Sequence, residues 1–172
     1  MKAVMISIRP EWCEKIAYGQ KTIEVRKKRP NLAPPFKCYI YCTKGDPSNA
    51  GDDFYIHDME NYRTIRGNGK VIGEFICDHI ITIHVGKYGL IPISIDGIDL
   101  SNSMLSPQEI ICYIGNGQTG YGWNISKLQI YEKPKSIREF TGLRKTKFGM
   151  EPVSLLRPPQ SWCYVEEPEE TP

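Results

Sequence analysis

Hydrophobic and polar residues alternate along several short stretches of this chain, and such alternation predicts β-strands. In residues 22–28, Ile23 and Val25 fall on one face while Thr22, Glu24, Arg26 and Lys28 fall on the other. Alternating or continuously apolar stretches also predict strands over residues 3–8, 36–42, 70–83, 122–132 and 161–166. The sequence therefore predicts about six strands.

Two stretches predict helices. Pro10 suits the first turn of a helix that ends near Gly19, and an apolar stripe lies between them. Ser106 and Glu109 form a capping box around Pro107, which predicts a helix to about Ile114. Because strands and helices do not alternate regularly, the pattern favours an α+β fold with a small mixed barrel over a doubly wound sheet.

Three stretches depart from regular structure. Residues 43–69 are rich in Gly, Asp and Asn and predict a long loop insertion. The alternation changes phase near Ser126 and Lys127, which predicts a β-bulge. The acidic end, residues 167–172, predicts a disordered tail.

A charged motif, G-x-K-x-x-E-x-R, follows the first helix and comprises Gly19, Lys21, Glu24 and Arg26. Glu24 and Arg26 are two residues apart on a strand, so they share a face about 7 Å apart. Lys21 joins them only if the chain bends at Gly19, which tolerates positive φ. Charged groups are poor core material, so we expect a binding surface. The alternative is an ion pair that only fastens the barrel.

The motif and its setting resemble the ASCH domain, the activating-signal-cointegrator homology family of the PUA-like superfamily. Residues 7–30 resemble the opening of that domain, and residues 69–75 and 120–134 resemble its later stretches in the expected order. The resemblance spans Lys2 to about Glu166 and implies a single domain over residues 1–166. It also implies a closed β-barrel flanked by two or more helices, with the motif residues in a cleft between barrel and helices.

Length and charge agree with one domain that binds a polyanion. A chain of 172 residues with 40% apolar content is near the usual single-domain size. Residues 1–37 and 133–157 carry net charges of +6 and +5, whereas the whole chain carries only +2. If these two basic segments merged into one patch, they would favour RNA as a partner.

No cofactor, metal or membrane partner is predicted. Residues 115–120 match G-x-G-x-x-G, but they follow a helix and precede a strand, which is the reverse of the dinucleotide-binding order. Cys77, His79 and His84 lack the paired close spacing of a zinc site. The six cysteines include no C-x-x-C, and residues 1–8 are too short for a leader, so we expect a cytoplasmic protein.

The function favoured by these patterns is binding of RNA or of a modified nucleotide. Lys21 and Arg26 would meet phosphate, Glu24 would accept from a base edge or a sugar hydroxyl, and an aromatic side chain would stack on the base. The predicted ligand-binding residues are Arg9, Lys21, Glu24, Arg26, Lys28, Trp123, Gln160 and Trp162.

A hydrolase stays open as the alternative, since some ASCH-like proteins resemble amidohydrolases that act on acylated cytidine and others ribonucleases. In the amidohydrolase pattern, a nucleophilic Thr stands three residues after the Lys, and here Glu24 occupies that place. Lys21 and Glu24 would then be the catalytic residues of a metal-independent enzyme, and Glu109 would supply a second carboxyl group. No residue pattern identifies a protein partner.

Overall fold

The computed structural model describes residues 1–46, 48–49, 51–58, 60–88 and 92–167. These residues form thirteen strands and two α-helices, α1 (Pro10–Ala17) and α2 (Pro107–Ile114). The strands are β1 (Lys2–Ile8), β2 (Ile23–Arg26), β3 (Phe36–Cys42), β4 (Tyr55–Asp58), β5 (Arg63–Arg66), β6 (Val71–Cys77), β7 (Ile80–His84), β8 (Ile93–Ser94), β9 (Thr119–Asn124), β10 (Ser126–Lys135), β11 (Thr141–Thr146), β12 (Gly149–Ser154) and β13 (Trp162–Glu166). Neither described helix is long and apolar enough to cross a membrane.

A seven-stranded sheet in the order β10-β6-β3-β1-β13-β11-β12 forms one layer. Its central strand β1 runs parallel to β3 and antiparallel to β13. A four-stranded sheet in the order β2-β9-β7-β8 forms the second layer, and β4 and β5 pair separately. β6 leads into β7 and β9 into β10 after one or two residues, so these long strands pass from one sheet into the other.

The bulge predicted near Ser126 is confirmed. The pairing of β10 with β6 shifts register between Ser126 and Gln129, and Lys127 has a φ of +47°. A bulge bends its strand and increases the local twist. Here the bend lies where β9 of the smaller sheet becomes β10 of the larger one.

The prediction of a closed barrel of about six strands is wrong, although the α+β class holds. In the residues described above, no backbone pairing joins β2 to the seven-stranded sheet. Sequence alternation missed β4, β5, β8, β11 and β12 because these strands are short or lie largely at the surface, where both faces are polar. The sheets are therefore open, and β2 is a free edge.

Two predicted irregular segments are partly ordered. β4 and β5 pair antiparallel within the predicted 43–69 loop. At the acidic end, the Glu167 N–H donates to the Met1 carbonyl at 2.8 Å and its carboxylate lies 3.1 Å from Lys37 Nζ. Glu167 at the start of the predicted tail thus has partners in the fold, while residues 168–172 lie outside the described residues.

Three apolar clusters account for the packing. Val4, Ile6 and Ile8 of β1 pack between the two sheets, and Ala3 and Met5 pack on the opposite face of the larger sheet. The apolar residues of β2 pack against α2 in the third cluster. Because α2 covers that face of β2, the other face, which carries Glu24 and Arg26, is turned toward the seven-stranded sheet.

We predict that Gly73→Ala destabilises the fold by about 1–3 kcal/mol, the usual effect of overpacking. A Cβ at Gly73 would collide with the Gln129 carbonyl oxygen and lie 3.1 Å from the Ile130 Cα on the neighbouring strand. Gly51→Ala is the control, since its Cβ would meet nothing closer than 3.7 Å. Urea unfolding measures both variants, and equal stability of the two would contradict the prediction.

Candidate functional site

The chain reaches the site through a sharp bend after α1. The Gly19 N–H donates to the Ile16 carbonyl at 2.9 Å with a φ of +70°, which ends the helix. The Lys21 N–H then donates to the Lys15 carbonyl at 3.1 Å, so the chain folds back along the helix before β2 begins. This bend meets the condition under which the sequence predicts that Lys21 joins the motif.

Lys21, Glu24 and Arg26 form a buried ionic cluster. Lys21 Nζ lies 3.2 Å from Glu24 Oε2, and Arg26 Nη2 lies 2.9 Å from Glu24 Oε1. The three residues are only 2%, 7% and 8% exposed. Each oxygen of one carboxylate therefore contacts a different cation, an arrangement that compensates the cost of burying the charges.

Lys21 has a partner for each of its three ammonium protons. Besides Glu24, Nζ donates to the Ile23 carbonyl at 3.0 Å and to the Ser103 carbonyl at 2.7 Å. Nζ also lies 5.1 Å from the centre of the Trp12 ring, within cation-π range. Because an ammonium group has three donors, a ligand could bind Lys21 only by displacing one of these partners.

Arg26 joins the two sheets through its side chain. Its Nη2 donates to the Ser7 carbonyl of β1 at 2.6 Å, and its Nη1 donates to Ser161 Oγ, next to β13, at 3.3 Å. Its Nε is buried without a hydrogen-bond partner in the described part of the chain. Arg26 thus bridges the open edge of β2 and keeps one unused donor.

A cavity of about 360 Å³ opens beside the ionic cluster, and we name it the cluster cavity. All three cluster residues line it. Trp12 of α1 and Tyr113 of α2 also line it, and Tyr113 is 38% exposed. The ion pairs of the cluster therefore fasten the fold, and they also border a cavity.

Two ionisable neighbours of the cluster have structural partners. Glu109 Oε2 accepts from the Ser106 hydroxyl and backbone N–H, both at 2.7 Å, and these bonds lower the pKa of Glu109. Burial raises the pKa of Cys13 well above its usual value, and the Cys42 thiol and Glu24 add to the effect while Arg26 opposes it. Cys13 is therefore a neutral buried thiol, and Glu109 is an ionised helix cap.

Five predicted ligand-binding residues line the cluster cavity: Arg9, Lys21, Glu24, Arg26 and Gln160. Lys28 is exposed and does not line it.

Trp123 and Trp162 do not line it either. Trp123 is fully buried, with its ring centre 5.8 Å from that of Phe36 and 6.0 Å from that of Trp162. It lies opposite Glu24 in the β2–β9 register, so its side chain is on the same face of the smaller sheet as Glu24 and packs between the two sheets. Trp123 is thus a core residue that does not border the cluster cavity.

Sequence reasoning did not assign Trp12, Thr43 or Tyr113 to ligand binding, although all three line the cavity. Trp12 belongs to the apolar stripe of α1, which gives no sign that one edge of the stripe borders a cavity. Tyr113 lies on the exposed side of α2, a position that sequence alone does not bring near β2. The proximity of both helices to the motif comes from the fold.

The basic segment 133–157 is divided between two edges of the larger sheet. Lys133 and Lys135 lie on β10 at one edge, whereas Arg144 and Lys145 lie on β11 near the other. In the first basic segment, Lys37 is paired with Glu74 at 3.3 Å in addition to Glu167. The second basic segment therefore does not form one continuous patch.

Within the described ranges, His, Cys, Asp and Glu side chains nowhere gather in threes as a metal site would require. Residues 115–118 lie between α2 and β9, with Gly115 following the helix directly, and Thr119 and Gly120 begin β9.

Comparison with known proteins places the fold. No family model and no curated protein sequence matches the chain. An ASCH crystal structure from Zymomonas mobilis matches 96% of this chain and 88% of its own length at 19% identity, with a TM-score of 0.53. A mutant of that ZmASCH protein matches 97% and 92%, also at 19% identity and a TM-score of 0.53. The chain thus has the ASCH fold, and the resemblance stated from sequence is confirmed for the fold.

We predict that Glu24→Gln lowers the free energy of unfolding by about 3–5 kcal/mol, because it leaves two buried cations without a charged partner. Glu11→Gln is the matched control, since Glu11 is exposed on α1. Urea unfolding measures both variants. A loss below about 1 kcal/mol for Glu24→Gln would show that the cluster contributes no more than an exposed ion pair.

Proposed function

We propose that this chain, which has the ASCH fold, binds a nucleotide, free or within RNA, in the cluster cavity. One observation carries the proposal: the Glu24 carboxylate is held between two cations beside a cavity that it lines. An ionised carboxylate has about four acceptor positions, and Lys21 and Arg26 occupy two of them. The remaining positions suit the N–H groups of a base edge or a ribose hydroxyl.

The size and walls of the cavity support a ligand of one nucleoside. Ligand cavities usually span about 300–1,000 Å³, and the cluster cavity lies near the lower limit. Trp12 and Tyr113 offer flat aromatic surfaces on two helices, and stacking on such side chains is a general means of binding bases.

In this proposal Arg9 contacts the phosphate of the ligand. Arg9 is exposed and lines the cluster cavity. It also lines an adjoining cavity of about 590 Å³, but that cavity carries Glu11, Asp46 and Asp52 beside Lys44, so the phosphate is placed at the mouth of the cluster cavity. Lys21, whose donors are all engaged, serves to position Glu24 instead of contacting phosphate.

A hydrolase is the second candidate, and one observation favours it: Glu109 lines the same cavity as Glu24, which provides two carboxyl groups. The partners of these groups favour binding instead. Glu109 caps α2, and the ammonium group of Lys21 has no free proton donor. Proton transfer by either group requires that such contacts break.

We predict that Arg9→Ala weakens binding of nucleoside monophosphates about tenfold and reduces the salt dependence of that binding, because one screened ion pair with the phosphate is lost. Arg138→Ala is the matched control, because Arg138 is exposed beside Ile137, which packs on the opposite face of the larger sheet. Titration calorimetry over a range of salt concentrations measures both variants. Binding that ignores salt, or an equal effect of Arg138→Ala, would contradict the proposed site.

Incubation with an N-acylated nucleoside separates the two candidate functions. Tight binding of the nucleoside without release of the acyl group supports binding as the function. Release that is abolished by Glu24→Gln, in a variant that circular dichroism shows to be folded, would make the chain a hydrolase.

A further inference from the structure

We infer that the hairpin of β11 and β12 is a second contact surface for single-stranded RNA, which it binds next to the nucleotide in the cluster cavity. The inference rests on the proposed function and extends the ligand from one nucleotide to an RNA segment. We name residues 141–154 the basic hairpin.

The tip of the basic hairpin is cationic and aromatic. Arg144, Lys145 and Lys147 are exposed, and Phe148 is 82% exposed. Lys147 Nζ lies 4.9 Å from the centre of the Phe148 ring. Because the ammonium group covers only one face of the ring, the other face remains open for a base to stack.

The strand register directs this tip toward the cluster cavity. β11 runs antiparallel to β13, with Gly142 opposite Val165 and Leu143 opposite Tyr164. This pairing ends at Leu143, and from there the direction of β11 carries its later residues toward the end of the sheet at which β13 begins. At that end Ser161 accepts from Arg26 and Gln160 lines the cavity. Two strand spacings, about 10 Å, separate β11 from β1 across β13.

The hairpin presents a defined surface. Six residue pairs join β11 to β12. The hydroxyl of Thr146 accepts from the Phe148 N–H at 3.2 Å, and its single proton is shared between Glu151 Oε1 at 3.0 Å and the Gly149 carbonyl at 3.2 Å. These bonds fix the turn that carries Lys147 and Phe148, so little ordering is required when a ligand binds.

The edge strand argues for RNA over an added protein strand. β12 is the outer strand of the larger sheet and contains Pro152, which has no N–H to donate to a partner strand. Pro152 disfavours an added strand, which leaves the side chains as the better contact surface. Three cations against Glu151, together with an exposed aromatic ring, match the phosphates and bases of a single strand.

The test compares a uridine oligonucleotide of about ten nucleotides, within the range of single-strand binding sites, with uridine monophosphate. We expect Lys145→Ala/Lys147→Ala to weaken oligonucleotide binding about tenfold and to lower its salt slope by about 1.4. We expect Phe148→Ala to weaken it about tenfold through lost stacking. Both variants should bind the monophosphate as the unchanged protein does.

Lys133→Ala/Lys135→Ala is the matched control, since it removes the same charge at the opposite edge of the same sheet. Fluorescence anisotropy measures the oligonucleotide and calorimetry the monophosphate. If the hairpin variants bind the oligonucleotide normally, or the control weakens it equally, the hairpin inference is overturned while the cavity proposal stands. If neither ligand binds the unchanged protein, both are overturned.

Discussion

The bridge from Arg26 to Ser7 and Ser161 is the interaction on which the site depends. β2 is an edge strand, and in the described residues only side chains connect its inner face to the larger sheet. Arg26 bridges that gap in place of the backbone ladder that would close a barrel. The gap also accounts for the cavity, because continuous backbone pairing would bring β2 directly beside a strand of the larger sheet.

An arginine can occupy this interior position only with a charged partner, and that partner is Glu24. Glu24 in turn contacts Lys21, which ties the 3-10 turn at Ser103 to the start of β2. The cluster thus connects α1, β2 and the segment before α2, the elements whose side chains line the cavity. The order of the site and the stability of the fold rest on the same charges.

Much of the fold and the centre of the site follow from local sequence signals. Pro10, Gly19 and the capping box at Ser106 mark helix ends by local chemistry, and alternation in residues 22–28 gives the inner face of β2. Local sequence signals could not show that the barrel stays open, because closure depends on whether β2 pairs with a strand that is distant in sequence. Trp12 and Tyr113 also escaped prediction, since their place at the cavity depends on how α1 and α2 pack. The buried position of Trp123 was not predictable either, because a tryptophan on a strand has the same sequence pattern whether it packs inward or contacts a ligand.

The motif residues divide their tasks according to the donors that folding leaves unused. Lys21 has none left, Arg26 keeps Nε, and Glu24 keeps acceptor positions on both oxygens. In the proposed function, the centre of such a site binds the hydrogen-bond donors of a ligand. The negative charge of the ligand is bound by exposed cations at the rim, such as Arg9. A phosphate buried at Glu24 would face a carboxylate, so the charge order favours a ligand whose base enters first and whose phosphates stay outside. That orientation leaves a strand of RNA free to continue along the surface in both directions from the cavity.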